Sequence, residues 1–523
     1  MAENKDEYQI YRDSAAILRQ VSALRVNDLD LDKFLSVDQV SLWQTQVAVW
    51  AGYNLPEAIT RRLNHDWRGE LKNFWRKYIK SHLKLVYVKL SREKFLDPAA
   101  SLESIVADNL KPKLLFLILE PRQLIDLEPL INRLHTDFHL IIVASKYRLN
   151  LVKPDTGKYA LIYIEDYHSA VQEKINTELP LLRLKIKSAT TALKKIKTTF
   201  YSASIYQLIK SDWYEFKVFN HREWLKDAFA ADYILKIIKP KAIISADDCN
   251  PRHRGFLQSA RAENIPTIIV QQGFLSPKSA EWAFNLSQTV AVVGEESRKF
   301  LVEFGLAPDH VIVTGIPRFD AIAQFRLLPD EQSSLLSDLK LDPVKPIITF
   351  ISQPCVGGNF PSEQVRQDTF RRVYEVAALN SSWQLLVKTH PDEDYAVQER
   401  LIASVKAPNI ILAPKTIKLY PLLKVSRVVI VYQSTVGLEA LLMQKPLIVY
   451  DENKKFDILF FVKSGLAEPA SDSTELAAAL NRLCDLSSSN QSDFAQKLNY
   501  YTRNFDGLAT ERVINLVKEK SLL

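Results

Sequence analysis

Val387-Lys388-Thr389-His390-Pro391 and Tyr432-Gln433-Ser434-Thr435-Val436-Gly437-Leu438-Glu439-Ala440 decide how this chain reads. Each follows an apolar β run, Leu385-Leu386-Val387 or Val428-Val429-Ile430-Val431, just where a helix is expected to begin. In an open parallel sheet, ligands bind beyond the carboxyl ends of the strands. There the unpaired amides and positive dipole end of the next helix favour a phosphate. A cation pair (Lys388, His390), two hydroxyls (Ser434, Thr435) and a carboxylate (Glu439) at two such strand ends describe a pocket for a nucleotide mono- or diphosphate. Taken singly, each motif has a plainer reading: Ser434 as a helix cap, His390-Pro391 as the end of a strand. Found in order, one βαβα step apart, they point to a phosphate site.

Around these motifs the apolar periodicity predicts strands at 347–351, 384–388, 409–412, 427–431 and 447–450, with helices 363–379, 395–406, 416–425 and 435–444 between them. Helices near 472–485, 492–503 and 510–519 close this series. An earlier series has strands at 114–119, 140–144, 159–164, 242–246, 266–270, 289–293 and 311–313. Its helices are expected at 124–134, 182–200, 255–263 and 296–304, with another ending near Ile238. Residues 325–345, polar and carrying Pro329 and Pro343, read as the connector. Strands alternating with helices predict parallel sheets. The expected fold class is therefore α/β, with two facing Rossmann-like domains, 111–325 and 340–523, and a cleft between them.

Residues 1–110 read as a mainly helical N-terminal extension, rich in tryptophan at Trp43, Trp50, Trp67 and Trp75. Its stretch 67–85 mixes aromatic and basic residues at helical spacing. Such a helix can lie on an anionic membrane, or it can pack its aromatics on a neighbouring domain and solvate its lysines.

Composition narrows the function classes. A length of 523 residues predicts two or three domains, and 47% hydrophobic with 25% charged residues is ordinary globular usage. Only 13 glycines are present, with no GxGxxG and no GxxxxGK[ST], which argues against a dinucleotide enzyme or a P-loop NTPase. The net charge of +7 suits anionic small molecules without indicating nucleic acid. Three dispersed cysteines (Cys249, Cys355, Cys484) fit a reducing cytoplasm. The first residues lack a signal-peptide layout, and no apolar run is long enough to span a bilayer. Membrane contact is thus expected to be peripheral, on the inner face.

The motifs resemble those of GT-B fold glycosyltransferases of bacterial surface polysaccharide biosynthesis. The nearest likenesses are capsule-type Kdo transferases, bacterial sialyltransferases and CDP-glycerol glycerophosphotransferases. The resemblance implies that His390-Pro391 and Ser434-Thr435 hold a donor phosphate and that Glu439 binds ribose hydroxyls. The segments 261–273 and 313–320 are similar to parts of the first half of such enzymes. Two departures stand out: Gln272 where relatives often carry histidine, and Gln444 where a glycine is usual.

Glycosyl transfer needs a stabilised leaving phosphate, an activated acceptor hydroxyl and exclusion of water. Lys388, His390, Ser434 and Thr435 are the candidates for the first, acting electrostatically without an essential metal. Gln353, Gly357 and Gly358, after strand 347–351, could add backbone contacts to the phosphate, although loop glycines usually serve turns. For the general base, Asp247 and Asp248 directly follow strand 242–246, with His253 in the same loop and Glu120 at the end of the first strand. An Asp-Asp-Cys-Asn turn is equally a capping sequence. Two Asp-x-Asp-like matches, 28–30 and 392–394, lack the strand context of a metal site.

The expected activity is transfer from a CMP-ulosonate or UDP-sugar donor to a surface glycan or glycolipid. Three alternatives stay open: a UDP-GlcNAc 2-epimerase-like isomerase, a CDP-glycerol-type transferase, and a non-catalytic scaffold.

Overall fold

The computed structural model describes residues 7–90, 102–107, 110–146, 157–273, 275, 278–355, 360, 362–432, 434–452, 461–485, 491–503 and 505–522. These form two compact units. The first comprises the described residues up to Val292, then Ser297–Arg318 and those from Thr510 on; the second comprises Val293–Glu296 and Phe319–Ala509.

The first unit is built on seven parallel strands: β1 (Lys113–Leu117), β2 (His139–Ala144), β3 (Tyr159–Tyr163), β4 (Ala242–Ser245), β5 (Thr267–Val270), β6 (Thr289–Val292) and β7 (Val311–Val313). Their order is β7-β6-β5-β4-β1-β2-β3. Strands such as Ala-Ile-Ile-Ser and Thr-Ile-Ile-Val are buried at every position. That is what a parallel strand covered on both faces requires.

The second unit has six parallel strands: β8 (Ile347–Ile351), β9 (Gln384–Lys388), β10 (Ile410–Leu412), β11 (Val428–Val431), β12 (Leu447–Tyr450) and β13 (Glu468–Ala470). Their order is β10-β9-β8-β11-β12-β13. The expected α/β class, with two parallel sheets flanked by helices and a helical N-terminal extension, is the class observed.

Particular boundaries differ for local reasons. The helix expected at 255–263 spans Pro251–Ala262, because the Asn250 side chain caps it by accepting from the Arg252 amide at 3.0 Å, with Pro251 at the first helical position. His253 and Arg254 are therefore buried helical residues, not loop residues. The helix expected at 182–200 runs Gln172–Lys194, and Thr199–Phe200 pairs instead with Ala203–Ser204. The extension also contains two short strand pairs, Arg25–Val26 with Leu29–Asp30 and Ser36–Val37 with Val40–Ser41.

The extension shares a core with the first unit's sheet. Leu18, Trp43, Val47 and Trp50 pack in one cluster with Trp213, Phe216, Ile269 and Val292. Trp50 meets Trp43, Trp213 and Phe216 edge-on, with ring centroids 5.5–6.3 Å apart. On the other face of the same sheet, Val513, Ile514, Leu516 and Val517 of the helix Ala509–Leu522 join Leu114, Phe116 and Ile244.

Candidate functional site

Both motifs lie in the second unit, at the carboxyl ends of β9 and β11, which flank β8. Strands β9 and β10 run off one side of β8, and β11 to β13 off the other. This is the switch point of an open parallel sheet, where consecutive crossovers leave in opposite directions and open a crevice. Neighbouring strands lie about 4.8 Å apart, so the two motifs begin roughly 10 Å from each other.

At the end of β9, Lys388 is half-buried and donates from Nζ to the carbonyls of Lys415 (3.1 Å) and Ile417 (2.8 Å). Lys415, beyond β10, donates to the carbonyls of Pro391 (3.2 Å) and Glu393. An ammonium carries three N–H donors, so among the described residues each lysine has one that these bonds do not engage. Burial, and then the positive charge of Lys415, lower the Lys388 pKa. The negative charge of a bound phosphate would oppose both effects.

Glu393 holds the His390-Pro391 turn. Its buried carboxylate accepts from Ser352 Oγ, the His390 amide (2.8 Å), Arg366 Nη1 (2.6 Å) and Gln398 Nε2 (2.9 Å). The Arg366 guanidinium also donates to the Gln353 carbonyl at 3.3 Å, which ties the end of β8 to the same turn. His390 Nδ1 accepts from the Asp392 amide at 3.2 Å. In the neutral ring that leaves the proton on Nε2, which has no hydrogen-bond partner among the described residues. Asp394 caps the helix Tyr395–Val405, its Oδ1 accepting from the Ala396 amide at 3.0 Å. The Asp-Glu-Asp run is thus a turn with an inward middle residue.

At the end of β11, Ser434 is buried and Thr435 exposed at the start of the helix Val436–Leu442. Ser434 accepts twice, through Oγ from the Val436 amide (3.3 Å) and through its carbonyl from the Gly437 amide (3.0 Å). Those first-turn amides are already engaged, so the side chains carry the charge complementarity. Glu439 follows Thr435 by one turn and shares its side of the helix. Gly437 is set by packing: a Cβ there would come within 2.7 Å of the Phe461 ring and 3.1 Å of Leu447. Gly357 and Gly358 lie outside the described residues.

The first unit has its own switch point, between β1 and β4. Glu120, after β1, is the N-cap of the helix Pro121–Leu134. Asp247 and Asp248, after β4, have separate surroundings. Asp248 is fully buried and ion-paired to Arg254 at 3.0 Å. It also accepts from Asn285 Nδ2 (2.8 Å) and from the amides of Leu286 (3.0 Å) and Ser287 (2.8 Å). Burial pushes its carboxyl up to about 6, against the pull of Arg254 and those amides. Arg254 donates onward to the carbonyls of Gln44 (2.5 Å) and Phe284 (2.6 Å), so the pair pins the extension and the loop before β6 onto β4.

Asp247 is only partly buried, and one oxygen, Oδ1, accepts from the amides of Cys249 (2.6 Å) and Asn250 (3.3 Å). A second carboxylate that local sequence did not single out stands near it. Glu281, in the short helix Ala280–Phe284, is pushed up to about 7 by burial and, after it, by the charge of Asp247. Among the described residues, no side chain is hydrogen-bonded to it. Gly52 backs directly onto it, since a Cβ there would fall on Glu281 Oε2. The neighbouring Tyr53 hydroxyl is held protonated, first by the Glu281 charge and then by burial. The only local signal for Glu281 is a carboxylate set in Ala280-Glu281-Trp282-Ala283-Phe284, an apolar run within a loop. His253 is fully buried, and burial lowers its pKa.

A family model described as capsule polysaccharide biosynthesis protein matches residues 352–454, the span that holds both motifs. No curated protein matches the chain in sequence. Among solved structures, the UDP-GlcNAc 2-epimerase from Neisseria meningitidis bound to UDP-GlcNAc is similar at a TM-score of 0.50 and 14% identity, over 78% of this chain and 100% of that one. The UDP-GlcNAc 2-epimerase from Methanocaldococcus jannaschii is similar at 0.50 and 14%, over 78% and 99%. The calicheamicin glycosyltransferase CalG4 gives 0.46 and 14%, over 79% and 98%. At a TM-score of 0.50 the two epimerases share this chain's fold, which is GT-B-like.

Proposed function

We propose that the protein is a metal-independent, inverting glycosyltransferase that moves a sugar from a nucleotide-activated donor to a surface glycan or glycolipid. The observation that carries this reading is the pair of lysines, Lys388 and Lys415, beside His390 at the second unit's switch point. All three lie within the span matched by the capsule polysaccharide family model. Lys388, Lys415, His390 Nε2 and the Thr435 hydroxyl bind the phosphate and stabilise the charge that grows on it as the glycosidic bond breaks. Glu439 holds the ribose hydroxyls. Glu281 and Asp247 are the candidates for the base. The acceptor oxygen bonds to the anomeric carbon, its proton passes to the carboxylate, and the nucleotide departs with the bonding pair. Asp248, with its oxygens engaged by Arg254 and the amides, serves the fold.

The test is nucleotide release from a panel of CMP-, UDP-, CDP- and GDP-activated donors, with and without acceptor glycans. Turnover that falls by orders of magnitude in His390→Ala supports transfer. No binding or turnover of any nucleotide sugar rejects it. A second reading, sugar-nucleotide isomerisation, draws on the likeness in fold to the two epimerases. It predicts deuterium incorporation from solvent into a UDP-sugar without any acceptor.

A further inference from the structure

The helix Trp67–Leu90 carries two different faces. One is docked. Lys77 is buried against Asp212, Phe74 and Tyr78 lie 5.9 and 5.2 Å from the Tyr214 ring, and Asn73 and Ser81 are buried. The other face is exposed among the described residues. Trp67, Leu71, Trp75, Ile79 and Leu83 are 65, 50, 50, 53 and 63% exposed. They recur every fourth residue, so they form one continuous ridge and not scattered surface hydrophobics. Beside it runs a second ridge, Arg68, Lys72, Arg76 and Lys80, every member exposed. The only carboxylate between 67 and 90, Glu70, points elsewhere and lies 4.0 Å from Arg62.

We infer that this face docks on an anionic lipid surface, the apolar ridge entering the headgroup boundary and the basic ridge pairing with phosphates. Tryptophan is suited to that boundary, being apolar in its ring and polar at its indole N–H. The charge pattern selects this occupant over a second copy of the chain. A twofold contact would set two basic ridges together with no acidic row on this helix to answer them. Among the described residues no helix is long and apolar enough to cross a membrane, so this is lateral attachment and not a span. The inference stands apart from the transferase reading, because none of these residues belongs to the candidate site.

The full chain should co-sediment with vesicles of phosphatidylcholine and phosphatidylglycerol at about three to one, and not with phosphatidylcholine alone. The double variant Lys72→Gln/Lys80→Gln should weaken partition roughly thirty-fold, at about tenfold per 1.4 kcal/mol and about 1 kcal/mol per cation. Trp75→Glu/Ile79→Glu should abolish it. All four positions are solvent-exposed, and an unchanged melting temperature verifies that each variant is folded. Failure of the wild-type protein to bind anionic vesicles overturns the inference, as does unaltered binding by the folded variants. A dimer seen by light scattering and lost in Trp75→Glu/Ile79→Glu would also overturn it, by assigning the ridge to a second copy.

Discussion

Glu281→Gln isolates one of the two carboxylates proposed for the base. Its carboxyl moves from 4.5 to about 7 on folding, equivalent to roughly 3 kcal/mol as an upper bound. Some solvent access trims this to roughly 1–3 kcal/mol. The folded group keeps its proton to higher pH than the unfolded one, so its stabilising contribution is complete below pH about 4.5 and is lost as pH rises through about 7. Gln has no proton to lose. Denaturant melts should therefore give Glu281→Gln and wild type a constant stability difference below pH about 4.5, shifting in the variant's favour by roughly 1–3 kcal/mol above pH about 7. If Glu281 is the base, wild-type kcat/KM should also rise with pH through about 7, and the variant should lose about 10²–10⁴-fold in turnover without that limb. A stability difference independent of pH refutes the burial argument. Unchanged turnover refutes the catalytic one.

Three further outcomes test neighbouring parts of the argument. Asp248→Asn should cost about 3–5 kcal/mol in a denaturant melt, because it strips the buried Arg254 of its counter-charge, whereas Asp247→Asn should stay within about 1 kcal/mol of wild type while turnover falls. Lys388→Met and Lys415→Met should each weaken nucleotide binding measured by calorimetry about tenfold or more, and should weaken inorganic phosphate in the same direction. Gln444 adopts a φ of +58° just past the helix Val436–Leu442; Gln444→Gly should raise stability by about 0.5–1 kcal/mol, read as a higher melting temperature.

The fold was legible because its signals are local. Runs such as Leu385-Leu386-Val387 and Val428–Val431 are apolar at consecutive positions and bounded by polar turns, which marks buried parallel strands whatever lies around them. The proximity of the two motifs followed from the βαβα order, since crossovers return each strand beside an earlier one. What local pattern could not show is which side chains meet across strands. Lys415 lies beyond β10 and reaches Lys388 only because β9 and β10 are neighbours. Glu281 gains its raised pKa from burial against Gly52 and from Asp247, which the sequence separates widely. Adjacent residues were no easier: Asp247 and Asp248 look interchangeable in the sequence, yet one faces outward and the other turns inward to Arg254. The extension's four tryptophans likewise divide, Trp43 and Trp50 into the core and Trp67 and Trp75 onto the surface.

The helix Ala509–Leu522 fills the core of a unit whose sheet is otherwise finished by Val313. During synthesis, the intervening second unit, Phe319–Ala509, emerges before that helix. At about 5–20 residues per second, Leu114, Phe116 and Ile244 would wait roughly ten to forty seconds after Val313 with part of their apolar cover missing. The second unit can close its own sheet in that interval, while the first holds an open seam that chaperones would have reason to visit. A stop codon placed after Leu508 would therefore injure the earlier-translated half of the protein more than the half it truncates.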